Sequence, residues 1–157
     1  MAVTYLELVD TDQIRAKLGA SDKELSDTTL ATFDIENELK GDLLGWIPTY
    51  EDVIDAGTAG SPTTSEELQY LKLLSYSKNY TSWIVGVSAQ NLLKQKISDG
   101  SNEMQRFNFS QEKLLDTLKS EADKSKADIL ELIDSTSSNT YSQFGAVTST
   151  FDPVTNA

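Results

Sequence analysis

Between about Ser65 and Ile97, apolar side chains return every three or four residues and no proline interrupts the run. Leu73, Tyr76, Tyr80, Trp83 and Val87 fall on one side of a helix, and Leu68, Leu71, Leu74, Ile84 and Leu92 form a second strip. That periodicity predicts a helix roughly 50 Å long at about 1.5 Å per residue. Thr64 and Glu67 have the spacing of a capping box at its start. A helix apolar over so much of its circumference belongs at the centre of a bundle, because a surface helix needs only one apolar stripe. Ser82 and Gly86, four apart, let another helix come close. A glycine inside a helix costs roughly 1 kcal/mol against alanine, so packing should offset it.

The other periodic segments supply partners for this helix. Gln111 to Asp134, with Ser110 as cap, repeats Leu115, Leu118, Ala122, Ser125, Ile129 and Leu132 by three and four. Its opposite face is rich in Lys and Glu, as expected of an amphipathic helix. A short helix is predicted from Asp12 to Leu18, capped by Asp10 or Thr11, with Gly19 as the left-handed residue that ends it. A second is predicted from Thr28 to Leu44, capped by Ser26 or Asp27, with Leu30, Phe33, Ile35, Leu39 and Leu43 as its stripe. Gly41, Gly45 and Pro48 end it, and Trp46, Ile47 and Tyr50 make an apolar knot that reads as a lid on the core. Residues 51–64 read as a loop with a short helical turn at Glu51 to Ala56. The fold class that follows is all-α, a bundle of about four helices, with a short extended or hairpin connector at about 98–109 and an extended C-terminal tail.

Composition removes most chemistry. The chain has no cysteine and no histidine, so thiolate nucleophiles, disulfides, the commonest general base and the commonest metal ligand are all missing. No glycine-rich phosphate loop and no nucleophile elbow occurs. Asp34, Glu36, Glu38 and Asp42 approach the spacing of a calcium loop, but Leu39 stands where its glycine belongs and Gly45 where its glutamate belongs. Asn79-Tyr-Thr81 and Asn108-Phe-Ser110 match the glycosylation pattern, in a chain whose acidic opening is not a secretory signal. No apolar run approaches the roughly 18–20 residues that span a bilayer. The expectation is a protein made soluble in the cytosol, without catalytic, metal-binding or cofactor-binding residues and without a membrane partner.

The net charge of −12 is unevenly placed. Residues 1–64 carry 13 acidic and 4 basic side chains, and residues 65–134 carry 11 and 9. Phosphate binding needs the opposite sign. Such a surface either keeps the protein in solution or repels DNA. Residues 135–157 then change character: ten of the 23 are Ser or Thr, with no Lys or Arg, yet Tyr141, Phe144, Val147 and Phe151 punctuate them. Such a segment cannot bury enough surface to fold alone. The chain therefore divides into a helical body, 1–134, and an arm, 135–157, that is either flexible or ordered by a partner.

Two stretches carry a resemblance. The first runs from Val9 to Leu30: a short helix ending at Gly19, then Ser21-Asp-Lys-Glu-Leu-Ser-Asp27, then a longer helix. The second is Ser98-Asp99-Gly100 through Arg106-Phe107, set between the two longest helical patterns. In wording, order and spacing these resemble the head–tail adaptor (head completion, connector) proteins of tailed bacteriophages. The resemblance implies a helical subunit of a ring, usually of twelve copies, in the neck of the virion. There it would bind the portal protein above and a tail or nozzle protein below, while genomic DNA passes through the lumen without specific binding. It makes Asp99, Gly100, Arg106 and Phe107 the family-like connector, and Tyr141, Phe144, Val147 and Phe151 candidates for a portal-binding arm. A different class also fits the charge: a monomeric acidic helical binding module such as a DNA-mimic inhibitor.

Overall fold

The computed structural model describes residues 3–89 and 111–144, with residues 111 and 135–144 described by backbone alone. In chain order it places a two-residue strand β1 (Thr4–Tyr5), its antiparallel partner β2 (Val9–Asp10), and helices α1 (Thr11–Leu18) and α2 (Asp27–Leu30). A single 3-10 turn (Ala31–Phe33) leads into α3 (Ile35–Trp46), α4 (Tyr50–Thr58), α5 (Thr64–Ser88) and α6 (Gln111–Phe144). The architecture is an all-α bundle, and α5 is its axis: α1, α3, α4 and α6 all pack on it.

Several local expectations hold. Asp10 caps α1 by accepting the Gln13 N–H at 2.7 Å, and Gly19 ends it at φ 63°. Ser26 caps α2 by accepting from the Thr29 N–H at 3.2 Å. The α5 start differs by one residue. Thr63, not Thr64, accepts from the Glu66 N–H at 3.3 Å, and the Glu66 carboxylate accepts from the Thr63 N–H at 2.7 Å. The sequence offers two overlapping frames of the capping box, and the fold uses the earlier one.

The predicted helix from Thr28 to Leu44 is broken at Asp34, whose φ of 49° is left-handed. On a straight helix Leu30 and Ile35 would point about 140° apart, at about 100° per residue. Both are fully buried. The break resets the phase so that both reach one core, and Asp is among the residues that tolerate this conformation. Residues 50–58 form a full helix rather than the loop with a turn, with Tyr50 and Ile54 as its inward face.

The long helix buries less of its apolar surface than expected. Leu68, Leu71 and Val87 are exposed, whereas Ser77, Asn79, Thr81 and Ser82 are buried. Which strip of α5 becomes core is decided by where its neighbours lie: α6 meets it at Ser75 and Gly86, and Leu18 of α1 approaches the same glycine. Ser75 and Ser125 meet at 3.2 Å across the α5–α6 seam, and Lys72 pairs with Asp128 at 2.6 Å. The Thr81 hydroxyl donates to the Ser77 carbonyl at 2.7 Å. Close approach at Gly86 is required: a Cβ there would stand 2.4 Å from Leu115 Cδ2. The predicted continuation of α5 to Ile97, the Ser110 cap and the connector at 98–109 lie outside the described residues.

Composition marked residue 134 as the end of the fourth helix and 135 as the start of an extended tail. The backbone instead stays helical to Phe144. Extending an existing helix needs no new nucleus, and residues 111–144 contain neither glycine nor proline. Gly145 is the first breaker that the helix meets. The α5–α6 contacts are antiparallel, with Ser75 beside Ser125 and Lys72 beside Asp128. By that register Thr64 lies level with residue 136, so the last turns of α6 run about 12 Å past the start of α5.

At the N-terminus the structure holds a hairpin that the sequence does not announce. Leu6 and Glu7 take φ of 51° and 59°, and the Leu8 N–H donates to the Tyr5 carbonyl at 3.0 Å. Two positive φ values in succession are the mark of the type I′ hairpin turn, usually Asn-Gly or Asp-Gly. Here burial of Leu8 and Val9, and packing of Leu6 on the core, hold the turn without those residues.

A candidate interaction cleft lined by aromatic rings

Tyr76, Tyr80 and Trp83 stand at i, i+4 and i+7 along one edge of α5, and Trp46 joins them from the last position of α3. The four rings form a continuous ladder. Trp46 meets Tyr76 edge-on at 4.9 Å between centroids, Tyr76 stacks on Tyr80 at 5.4 Å, and Trp83 follows at 6.1 Å. Asp42, one turn before Trp46, anchors the base. Its Oδ2 accepts the Trp46 indole N–H at 2.8 Å and also the Tyr76 hydroxyl.

The facing wall is α6. Lys119, Asp123 and Lys126 repeat there at i, i+4 and i+7, the spacing of one helix face. Lys126 Nζ lies 4.9 Å from the Trp46 ring centroid and Lys119 Nζ 5.1 Å from that of Trp83. These cation–π contacts are each worth about 0.5–1 kcal/mol at an exposed site. Between the two walls is an open cleft of about 230 Å³, floored by Ala122. Burial, followed by the nearby Asp42 carboxylate, pushes the Tyr80 phenol up to about 12 and the Tyr76 phenol further in the same direction. Both phenols are therefore neutral donors throughout the physiological range.

The cleft has no nucleophile beside a base. Its walls can accept a flat apolar group against half-buried rings, with Lys119 and Lys126 at opposite ends and Asp42 and Asp123 between them as polar partners. A second concavity, about 330 Å³, lies under the hairpin and is rimmed by Glu7, Glu51 and Asp55 around Tyr50 and Ile54. The Tyr50 hydroxyl donates to Glu51 at 3.1 Å. Among the described residues no acidic group is gathered closely enough to hold a metal ion. No described helix is long and apolar enough to cross a membrane.

Of the residues singled out from sequence, Tyr141 and Phe144 stand on the helical backbone of the last turns of α6 rather than on an extended arm. Val147, Phe151, Asp99, Gly100, Arg106 and Phe107 lie outside the described residues. The cleft was hidden by periodicity: Tyr76, Tyr80 and Trp83 read as core stripe and Trp46 as core lid. The signal that points outward is on α6, where two lysines seven residues apart face three aromatics at matching intervals on α5. Scans against protein-family models, curated proteins and solved structures find no match to this chain.

Proposed function

We propose that the chain is a structural adaptor of a phage virion, a ring-forming subunit that joins the portal to the tail and surrounds the DNA exit channel. The observation that carries this reading is the overshoot of α6. The body is closed by α5 and α6, yet α6 continues past the start of α5 and leads into residues 145–157. A helix whose backbone runs past its partner in the same subunit supports a reading in which its last turns meet a neighbour. Part of the element order supports the resemblance, namely a short helix ended by Gly19, the turn at Ser21 to Asp27 and, later, two long antiparallel helices, whereas the longer helix expected straight after the turn is broken at Asp34. An acidic surface suits a conduit that must not hold the phosphate backbone. In this reading the protein is not an enzyme and sits in the neck of the virion.

Mixing the chain with the portal protein of its phage and measuring mass by light scattering tests the proposal. A complex with ring stoichiometry is the expected result. Absence of a complex at tens of micromolar overturns it, since contacts of a stable interface should survive there. The acidic rim of Glu7, Glu51 and Asp55 favours one other reading, a monomeric acidic module that occupies the DNA site of a basic protein. That reading requires the chain to stay monomeric while competing with duplex DNA for such a partner.

A further inference from the structure

The aromatic cleft is a surface that packing among the described residues leaves open. Trp83 lines it and Trp46 adjoins it through Tyr76 and Lys126, and neither Lys119 nor Lys126 is ion-paired with a described residue. Two carboxylates share the cleft with the lysines: Asp42, whose Oδ2 is taken by Trp46 and Tyr76, and Asp123, between the lysines on α6. An occupant that fits has an aromatic group to lie against Tyr80 and Trp83 and a carboxylate to meet Lys119 at the Trp83 end. Residues 145–157 contain that combination once, at Phe151-Asp152-Pro153, and Asp152 is the single charged side chain after Asp134. Proline next to it favours the extended backbone that an aromatic-lined groove accepts.

Reach decides which copy is served. From Phe144 back along α6 to the cleft floor at Ala122 is about 33 Å at about 1.5 Å per residue. Seven residues from Phe144 to Phe151 span at most about 25 Å fully extended, before any are used to reverse direction. The tail is too short to fill its own cleft. An occupied cleft would therefore belong to a second copy.

We propose that the segment around Phe151 and Asp152 of one copy docks in the aromatic cleft of a second copy, with the Phe151 ring against Tyr80 and Trp83 and the Asp152 carboxylate beside Lys119. The inference rests on the ring-forming part of the proposed function and names the contact that links the copies.

Trp46 and Trp83 make intrinsic fluorescence a direct reporter, because no other tryptophan exists in the chain. The full chain carrying F151A and D152N is titrated with a synthetic peptide of residues 145–157. A saturable shift in tryptophan emission with a midpoint below about 1 mM is expected, and the peptide bearing F151A and D152N should bind at least about tenfold more weakly. No shift at that concentration, or equal binding by the substituted peptide, overturns the proposal. A difference in emission between the wild-type and substituted full chains that persists at about 0.1 µM, where weakly bound copies separate, means that the tail occupies its own cleft and also overturns it. The portal mixing experiment separates the two claims. A portal complex without peptide binding sinks this inference alone, and peptide binding without a portal complex sinks the adaptor reading alone.

Discussion

At the scale of single residues the fold depends on two unusual ones. Arg15 is buried, with 5 % of its surface exposed. Its Nε donates to the Leu25 carbonyl at 2.7 Å and its Nη1 to Asp12 at 2.7 Å, while Nη2 meets Asp27. One guanidinium thus ties the loop after α1 to the start of α2, a planar fork that lysine cannot reproduce. Its hydrogen bond holds the Asp27 carboxyl below the usual carboxylate value. A carboxyl lowered on folding adds stability above its unfolded pKa, near 3.9, and that contribution is lost as pH falls through its lower folded value. Urea unfolding of Asp27→Asn should therefore show a deficit against wild type at pH 7 that is unchanged at pH 5 and shrinks towards pH 2. A deficit that stays constant down to pH 2 would rule out the ion pair as its source. The second residue is Glu7, exposed at φ 59° in the hairpin turn. A left-handed residue other than glycine costs roughly 1–2 kcal/mol, against roughly 0.5–1 kcal/mol for the extra chain entropy of glycine. Glu7→Gly should raise unfolding stability by about 0.5 kcal/mol, and a loss would show that the Glu7 side chain supports the hairpin. Neither feature is legible in sequence, because a lone arginine gives no sign of burial and Leu-Glu is not a turn signal.

At the scale of elements, the helices meet at two glycines with different tolerance. At Gly86 an added Cβ meets the end of the Leu115 side chain, which can turn aside, and Leu18 Cδ2 at 3.0 Å. At Gly57 it would lie 2.2 Å from Tyr70 Cβ, an atom fixed to the α5 backbone. Overpacking costs about 1–3 kcal/mol, set against about 1 kcal/mol gained in helix propensity. Gly86→Ala should therefore cost about 1 kcal/mol or less, and less still when measured in a Leu115→Ala background, where Leu18 Cδ2 at 3.0 Å is the remaining close contact. Gly57→Ala should cost about 2 kcal/mol or more, since α4 as a whole must move off α5. Chemical unfolding of the two variants checks the order, and equal losses would mean that α4 yields as readily as a side chain. The sequence pointed to Gly86 as a close approach because it sits four residues from Ser82 in a strong helical pattern. It gave no such sign for Gly57, which lies where a loop was expected.

At the scale of the whole molecule, the body closes before α6 ends. The apolar stripe of α6, from Leu115 to Ile129, is matched to α5, whereas the Ser- and Thr-rich turns after Asp134 lie past most of the seam. Ending the chain after Asp134 should lower the thermal midpoint by no more than a few degrees, the equivalent of about 1 kcal/mol or less. It should weaken portal binding by much more than an order of magnitude if the removed aromatics are anchors of about 2 kcal/mol each. Calorimetry and light scattering on the same sample read both. A large drop in midpoint with portal binding intact would make residues 135–157 part of the core instead of an arm.

The sequence by itself determined the helical class, the pairs of residues from which the caps are drawn (Asp10 or Thr11, Ser26 or Asp27), the stop at Gly19 and the stripe of α6, because each depends on neighbours within about one turn of helix. It also excluded thiol and imidazole chemistry, since a residue type that is absent cannot be supplied by folding. Only the tertiary structure decided that Leu30 and Ile35 share one core through the break at Asp34. The same holds for α5, whose Ser77 and Ser82 lie buried while Leu68 and Leu71 stay exposed. The stripe of Tyr76, Tyr80 and Trp83 likewise runs from core at Tyr76 to the half-buried wall of a cleft at Tyr80 and Trp83. In each case burial is set by the position of a second element, and the period of one helix carries no information about where its neighbour stops.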